Sequence, residues 1–278
     1  MDKKNITSRL IILATILLSI LSIDAQTPKP KKALMNQGEV LTYTAEFQWG
    51  LLKPDAGSAT MSMREVHVDG KDLYAYKIAL RTSSFFDKIY YLRDEVESFF
   101  TPDLKFIKSI KKLNERKKPS TRYMTMTYNH DKPVKYRFYK ERRGNTMRDT
   151  TITLDSKYPV VDLFGSVIFL RSLDAKNLRV GDKLTITVID NADITTATIM
   201  YKGKVDFKVN KKNKYHTLKF VVDIKNNKFE KQKESMEAWI SDDENLIPIC
   251  LKSKLKLGAG VVTFKGAKGL KYPLTSKF

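Results

Sequence analysis

From residue 40 onward the chain is dominated by short runs in which apolar and polar positions alternate. Val40, Thr42 and Thr44 interleave with Leu41, Tyr43 and Ala45 in a run that ends at Trp49-Gly50. Val134, Tyr136 and Phe138 share one face and Lys135 and Arg137 the other; Val205, Phe207 and Val209 stand opposite Asp206 and Lys208. Leu218, Phe220, Val222 and Ile224 fall together, as do Ile247, Ile249, Leu251 and Leu255. Side chains on an extended backbone point alternately to opposite faces, so a period of two predicts half-buried strands. Turn-forming clusters punctuate the runs, at His67–Lys71, Asn129–Pro133, Asn210–Asn213 and Asp242–Asn245. The pattern predicts a dozen or more strands in a mainly β fold, an antiparallel curved sheet forming a barrel or half-barrel.

One stretch breaks this rhythm. Leu163, Phe164, Val167, Ile168 and Leu170 follow helical spacing, and Pro159 marks the entry. Asp162 stands where its carboxylate can accept first-turn amides, so the principal helix is expected over 161–173.

The first residues read differently. Lys3, Lys4 and Arg9 precede a 14-residue, mostly apolar run from Leu10 to Ile23, with Ala25 as a small residue before a cut. That run is shorter than the ~20 apolar residues a membrane-spanning helix needs, and the arrangement is that of a secretory signal peptide. The expected organisation is a signal peptide at 1–25, a basic leader at 26–37 and a single β-rich domain at 38–278. Since no cysteine lies near the cut, a soluble periplasmic protein is expected rather than a lipoprotein.

Charge sharpens this picture. The 278 residues hold 51 Lys and Arg against 31 Asp and Glu, a formal net charge of +20. The signal segment contains only three of the basic and two of the acidic residues, so the excess belongs to the folded domain. It concentrates in Lys105–Lys118, Lys132–Arg148 and Lys202–Lys214. Lys111, Lys112, Arg116, Lys117, Lys118, Lys140, Arg142 and Arg143 are expected to form a basic surface. In an exported protein its partner is an anionic lipid, lipopolysaccharide or acidic glycan rather than nucleic acid; peripheral membrane contact fits the same charge. The one cysteine, Cys250, excludes a disulfide framework and a multi-cysteine metal site. His67, His130 and His216 lie far apart with no His-x-x-x-His pair, so neither a metal nor a cofactor is expected.

Several short pieces, in order, resemble one bacterial family. Gly38-Glu39-x-Leu41-x-Tyr43, Trp49-Gly50 and Ala56-Gly57-x-Ala59 are similar to its opening. Asp94, Asp162 with Leu170-Arg171, and Gly181-Asp182 are similar to its middle. Glu237-x-Trp239-Ile-Ser-Asp, Ile247-Pro248-Ile249 and Gly258 resemble its end. The family is domain of unknown function 3108. The resemblance implies an exported, β-rich protein and supplies no catalytic set.

Candidate chemistry is sparse. Cys250 shares a strand face with Lys252 and Lys254, which would lower its pKa, but no histidine stands near it in sequence. Glu234, Glu237, Asp94, Asp162 and Asp182 are the acidic points from which a hydrolase would need two carboxyls about 5–10 Å apart. Gly258, Gly260, Gly266 and Gly269 do not follow a strand and open a helix, so they do not form a phosphate loop. Trp49, Tyr43, Arg171, Asp162 and Trp239 are the candidate ligand contacts. The leading expectation is a non-catalytic envelope protein binding a lipid or acidic glycan, with an apolar cavity inside the sheet and a basic rim. The alternatives are an envelope hydrolase and a structural or interaction protein of the outer envelope.

Overall fold

The computed structural model describes residues 35–278 apart from 49, 51, 129–133, 226–235 and 255–257. The expected signal segment, most of the basic leader, Trp49, His130, Glu234 and Leu255 lie outside the described residues. Fifteen strands are described. The first eight are β1 (Val40–Gln48), β2 (Asp55–Val68), β3 (Lys71–Thr82), β4 (Arg93–Phe100), β5 (Phe106–Glu115), β6 (Lys118–Thr127), β7 (Val134–Arg142) and β8 (Asn145–Leu154). The rest are β9 (Val160–Asp162), β10 (Lys183–Asp190), β11 (Asp193–Lys208), β12 (Lys214–Lys225), β13 (Met236–Ser241), β14 (Pro248–Lys254) and β15 (Ala259–Lys268). One α-helix, α1 (Gly165–Arg171), follows β9.

All fifteen strands join one sheet, in the order β8-β7-β6-β5-β4-β3-β2-β1-β15-β14-β13-β12-β11-β10-β9. The topology is two up-and-down meanders, β1 to β8 and β9 to β15, joined in the middle by the first and last strands. Every neighbouring pair is antiparallel except β9 with β10. The sheet is curved and unclosed. Its free edges, β8 and β9, are linked by only the five residues between Leu154 and Val160. Six ladders contain a register shift, among them β1/β15 at Thr42/Tyr43, β4/β5 at Phe99/Phe100 and β11/β12 at Tyr201/Gly203. Such shifts bend a strand and increase its twist, which lets so wide a sheet curl upon itself.

The inward face follows the alternation read from the sequence. Leu41, Tyr43, Met61, Tyr76, Phe100, Met124, Tyr136, Phe138, Ile186, Ile199, Phe220, Ile240 and Ile249 are buried in one continuous core. One predicted face is displaced: Val205 is 40% exposed, because the register shift between Tyr201 and Gly203 turns Val205 and Phe207 onto the outward face, where Phe207 meets Trp239.

The helix is shorter than expected. Val160–Asp162 pair with Thr187–Ile189 as a parallel edge strand, which suits two β-branched valines, and the helix starts three residues later. Asp162 does feed the first turn: its Oδ1 accepts the Gly165 N–H at 2.6 Å. Gly165 is needed for close approach. A Cβ there would lie 2.8 Å from both Asp162 Oδ1 and Phe100 Cζ.

The helix ends at Arg171, which is fully buried. Its guanidinium donates to Glu39 Oε1 at 2.6 Å, to Glu39 Oε2 at 3.1 Å and to the Asn245 carbonyl at 3.1 Å. Asn245 in turn bonds the backbone of Tyr272 and Pro273. One ion pair thus ties the start of β1, the helix, the β13–β14 turn and the C-terminal segment into a sealed end.

Removing one member of such a pair leaves an uncompensated buried charge. Arg171→Leu or Glu39→Leu is therefore expected to destabilise the fold by about 3–5 kcal/mol in urea unfolding. The double variant is expected to lose clearly less than the sum of the two.

Candidate functional site

The expected ligand contacts are mostly structural. Tyr43 and Arg171 are buried at the sealed end. Asp162 is fully buried at the end of β9, where its Oδ2 accepts the Ser98 hydroxyl at 2.7 Å. Burial holds its pKa above the usual carboxylate range, while the nearby Lys111 charge and the hydrogen bonds pull the other way. Trp239 is half-buried on the outward face, its ring centre 5.0 Å from that of Phe207 in a tilted pair, with the Lys219 ammonium 5.0 Å from its ring centre. Tyr43 lies within reach of the Arg171 charge, but Asp162 and Trp239 do not join them, and Trp49 lies outside the described residues. Sequence reading missed Glu39 as the partner of Arg171; the only signal was its place beside Gly38 in the family-like opening.

The acidic points are dispersed. Asp94, raised in pKa chiefly by burial, accepts the Asn114 N–H at 2.9 Å. It lies four residues along β4 from Ser98, the partner of Asp162, a rise of about 13 Å. Asp182 caps its own turn at the Arg179 N–H, and Glu237 pairs with Lys219 on the outward face. Cys250 is buried on the outward face of β14, and burial pushes its thiol up to about 11, against the lowering expected from its lysine neighbours. His67 and His216 are exposed and bonded to Asp72 and Asp206. Among the described residues, no three His, Cys, Asp or Glu side chains come together to hold a metal ion.

The expected interior cavity meets a packed core. Side chains of both meanders and of α1 fill the space within the sheet. A groove of about 580 Å³ crosses β2 to β6, and alternation puts its Ser58, Thr60, Ala79, Arg81, Glu95 and Lys112 on the outward side. A second groove, about 460 Å³, lies by the β13–β14 turn and holds the Lys204–Asp242 pair.

Most of the predicted basic residues gather at the end opposite the sealed one. Lys112, Arg116, Lys117, Lys118 and Arg143 are exposed, and Lys140 and Arg142 half-buried. Lys111 corrects the expectation. Adjacent strand residues face opposite ways, so with Lys112 outward Lys111 points in, between Ser109 and Leu113. It is 4% exposed and its Nζ reaches Asp190 Oδ1 at 2.5 Å. Beside it Arg122 donates to Asn191 Oδ1 at 3.0 Å. The β10–β11 turn is thereby fastened across the inside of β5 and β6.

The rim itself is built from hairpin tips. Antiparallel order puts the β1–β2, β3–β4, β5–β6 and β7–β8 connections at one end of the sheet. At the β5–β6 tip both turn positions are cations in the left-handed region, Arg116 at φ 51° and Lys117 at φ 58°. At the β7–β8 tip Arg143 (φ 51°) precedes Gly144 (φ 77°). Such turns favour Asn and Gly, because a Cβ is strained at positive φ. The guanidinium of Arg116 stands 5.1 Å from the Tyr90 ring centre and that of Arg93 4.7 Å from Tyr91. The Arg116 N–H bonds the Tyr91 carbonyl at 2.8 Å, joining the β3–β4 loop to this tip.

Residues 42–265 match the family described as a protein of unknown function, DUF3108, and the chain belongs to that family. The fold is similar to a crystal structure of a β-barrel-like protein of domain of unknown function DUF1849 from Brucella abortus. That likeness has 9% identity and a TM-score of 0.55, and covers 85% of this chain and 99% of that one. A putative lipoprotein from Parabacteroides distasonis aligns with 8% identity over 86% of this chain and 99% of its own, with a TM-score of 0.29. No curated protein matches the chain.

Two outcomes follow from the buried groups. The folded state binds a proton at Asp162 more tightly than the unfolded chain, so this residue's contribution to stability falls as pH rises from the unfolded carboxyl value, about 3.9, through the raised folded one. Asp162→Asn removes that term, so its stability relative to the parent should increase with pH in denaturant titrations. Cys250 should resist alkylation by iodoacetamide at pH 8 in the native protein and react once the chain is unfolded.

Proposed function

We propose that this DUF3108 protein is an exported, non-catalytic protein of the bacterial envelope. Its basic rim binds an anionic ligand there: a lipid headgroup, lipopolysaccharide or an acidic glycan. The observation on which this reading rests is the placement of Arg116, Lys117 and Arg143 at left-handed turn positions. Glycine or asparagine would relieve the backbone there, so cations kept at the tips are explained by what they face outside the fold. Export rests on the N-terminal charge and apolar pattern of residues 1–25. No described helix is long and apolar enough to cross a membrane.

A filled interior favours binding on the surface over enclosure of a lipid within the sheet. Exposed cations attract a polyanion at long range and are screened by salt, with a Debye length of ~10 Å at 0.1 M. Binding should therefore weaken steeply as salt rises.

Heparin is a convenient acidic glycan probe. Arg116→Glu, Lys117→Glu and Arg143→Glu are each expected to weaken its binding about fivefold, taking ~1 kcal/mol per cation at an anionic surface. Isothermal titration at low salt checks this, and full retention by the triple variant would remove the basis of the proposal.

A further inference from the structure

We propose that the rim is a bilayer-docking face whose apolar tips enter the headgroup region of an anionic membrane. This rests on the preceding reading of the basic rim and narrows its ligand to a lipid surface. The supporting observation is a set of large apolar side chains left in solvent at that end. Leu52 at the β1–β2 connection is 64% exposed, and Phe85 and Ile89 in the β3–β4 connection are 60% and 67% exposed. Val180 and Phe278 are exposed singly at the other end, whereas the rim sets three such side chains on two adjoining connections, and a cluster ringed by polar groups marks an interaction surface.

These tips are held in place rather than loose. The Ser83 N–H bonds the Ala56 carbonyl at 3.0 Å and the Ser83 hydroxyl bonds the Asp55 carbonyl at 2.9 Å, which brings the two connections side by side. Asp87, at the centre of the β3–β4 connection, is clamped by Arg93 through bonds of 2.6 and 2.9 Å. That pairing also neutralises the one carboxylate of the loop. Phe85 and Ile89 are therefore presented on a braced loop, so little ordering remains to be done on contact.

The surrounding charge selects the kind of surface. Lys53 and Lys88 sit next to Leu52 and Ile89 in the chain and are exposed, and Arg116 and Lys117 lie on the adjoining tip. Tyr90 and Tyr91 lie between the apolar and basic groups, with guanidinium groups beside their rings. Apolar tips, amphipathic rings and cations together match a membrane interface, where acyl chains lie beneath a layer of charged headgroups. A soluble acidic glycan would use the cations and leave the apolar tips in water.

The test uses the whole chain carrying Phe85→Trp or, at the sealed end, Val180→Trp, with the parent protein as baseline. Each is mixed with vesicles of phosphatidylglycerol and phosphatidylethanolamine, with and without bromine on the acyl chains. The reporter at position 85 is expected to shift to the blue and lose emission to the brominated lipid, while that at position 180 does neither. An unshifted, unquenched reporter at position 85 overturns the proposal. If heparin still binds in that case, the basic-rim reading survives; if heparin also fails to bind, both fall.

Discussion

A single buried ion pair sets the architecture. Glu39 opens the first strand of the sheet and Arg171 closes the helix 132 residues later, and both are removed from water. Two charges without solvent have no tolerance for drift, because the cost of separating them is the cost of an isolated ion in a low-dielectric interior. The bidentate geometry therefore fixes where α1 lies, and α1 fills the space that a sheet of this width would otherwise leave open. Asn245 joins the pair through its carbonyl and fastens the C-terminal segment through its side chain. The sealed end follows from these few contacts.

With that end closed and the interior packed, the opposite end gathers most of the expected basic surface. There the hairpin tips hold arginine and lysine in backbone conformations that suit glycine better, and apolar side chains remain exposed beside them. Natural sequences depart from local preferences at functional positions more than elsewhere. The strained cations and the exposed apolar tips are both departures of that sort, and both occur on one rim.

Much of the fold could be read from alternation. Leu41 and Tyr43, Tyr136 and Phe138, and Leu218 with Phe220 face the core as their period of two requires. Asp162 accepts the Gly165 N–H as a capping residue would, yet Val161 and Asp162, expected in the helix, belong to a strand, because pairing with Val188 and Ile189 outweighs local helical spacing. Lys111 shows where composition misleads: a run of lysines reads as surface, but neighbours in a strand point opposite ways, and one of them found Asp190. Glu39 had no readable partner, since nothing local links it to a residue more than a hundred positions away. The rim is half legible: its cations show as charge, while nothing local marks Leu52, Phe85 and Ile89 as exposed.

The pairing of β1 with β15 has a kinetic consequence. Val40 stands opposite Lys268, so the central ladder of the sheet joins the two ends of the domain. During synthesis the first meander can form with β1 as a raw edge, its backbone amides and carbonyls on that side unpaired until the last strand arrives. Contacts of such long sequence separation form slowly, and unpaired strand edges invite association with other chains. The two meanders can therefore join into one sheet only when the final twenty residues, from Ala259 to Phe278, arrive. A chain cut short before Ala259 would keep an open edge in the middle of what should be its sheet.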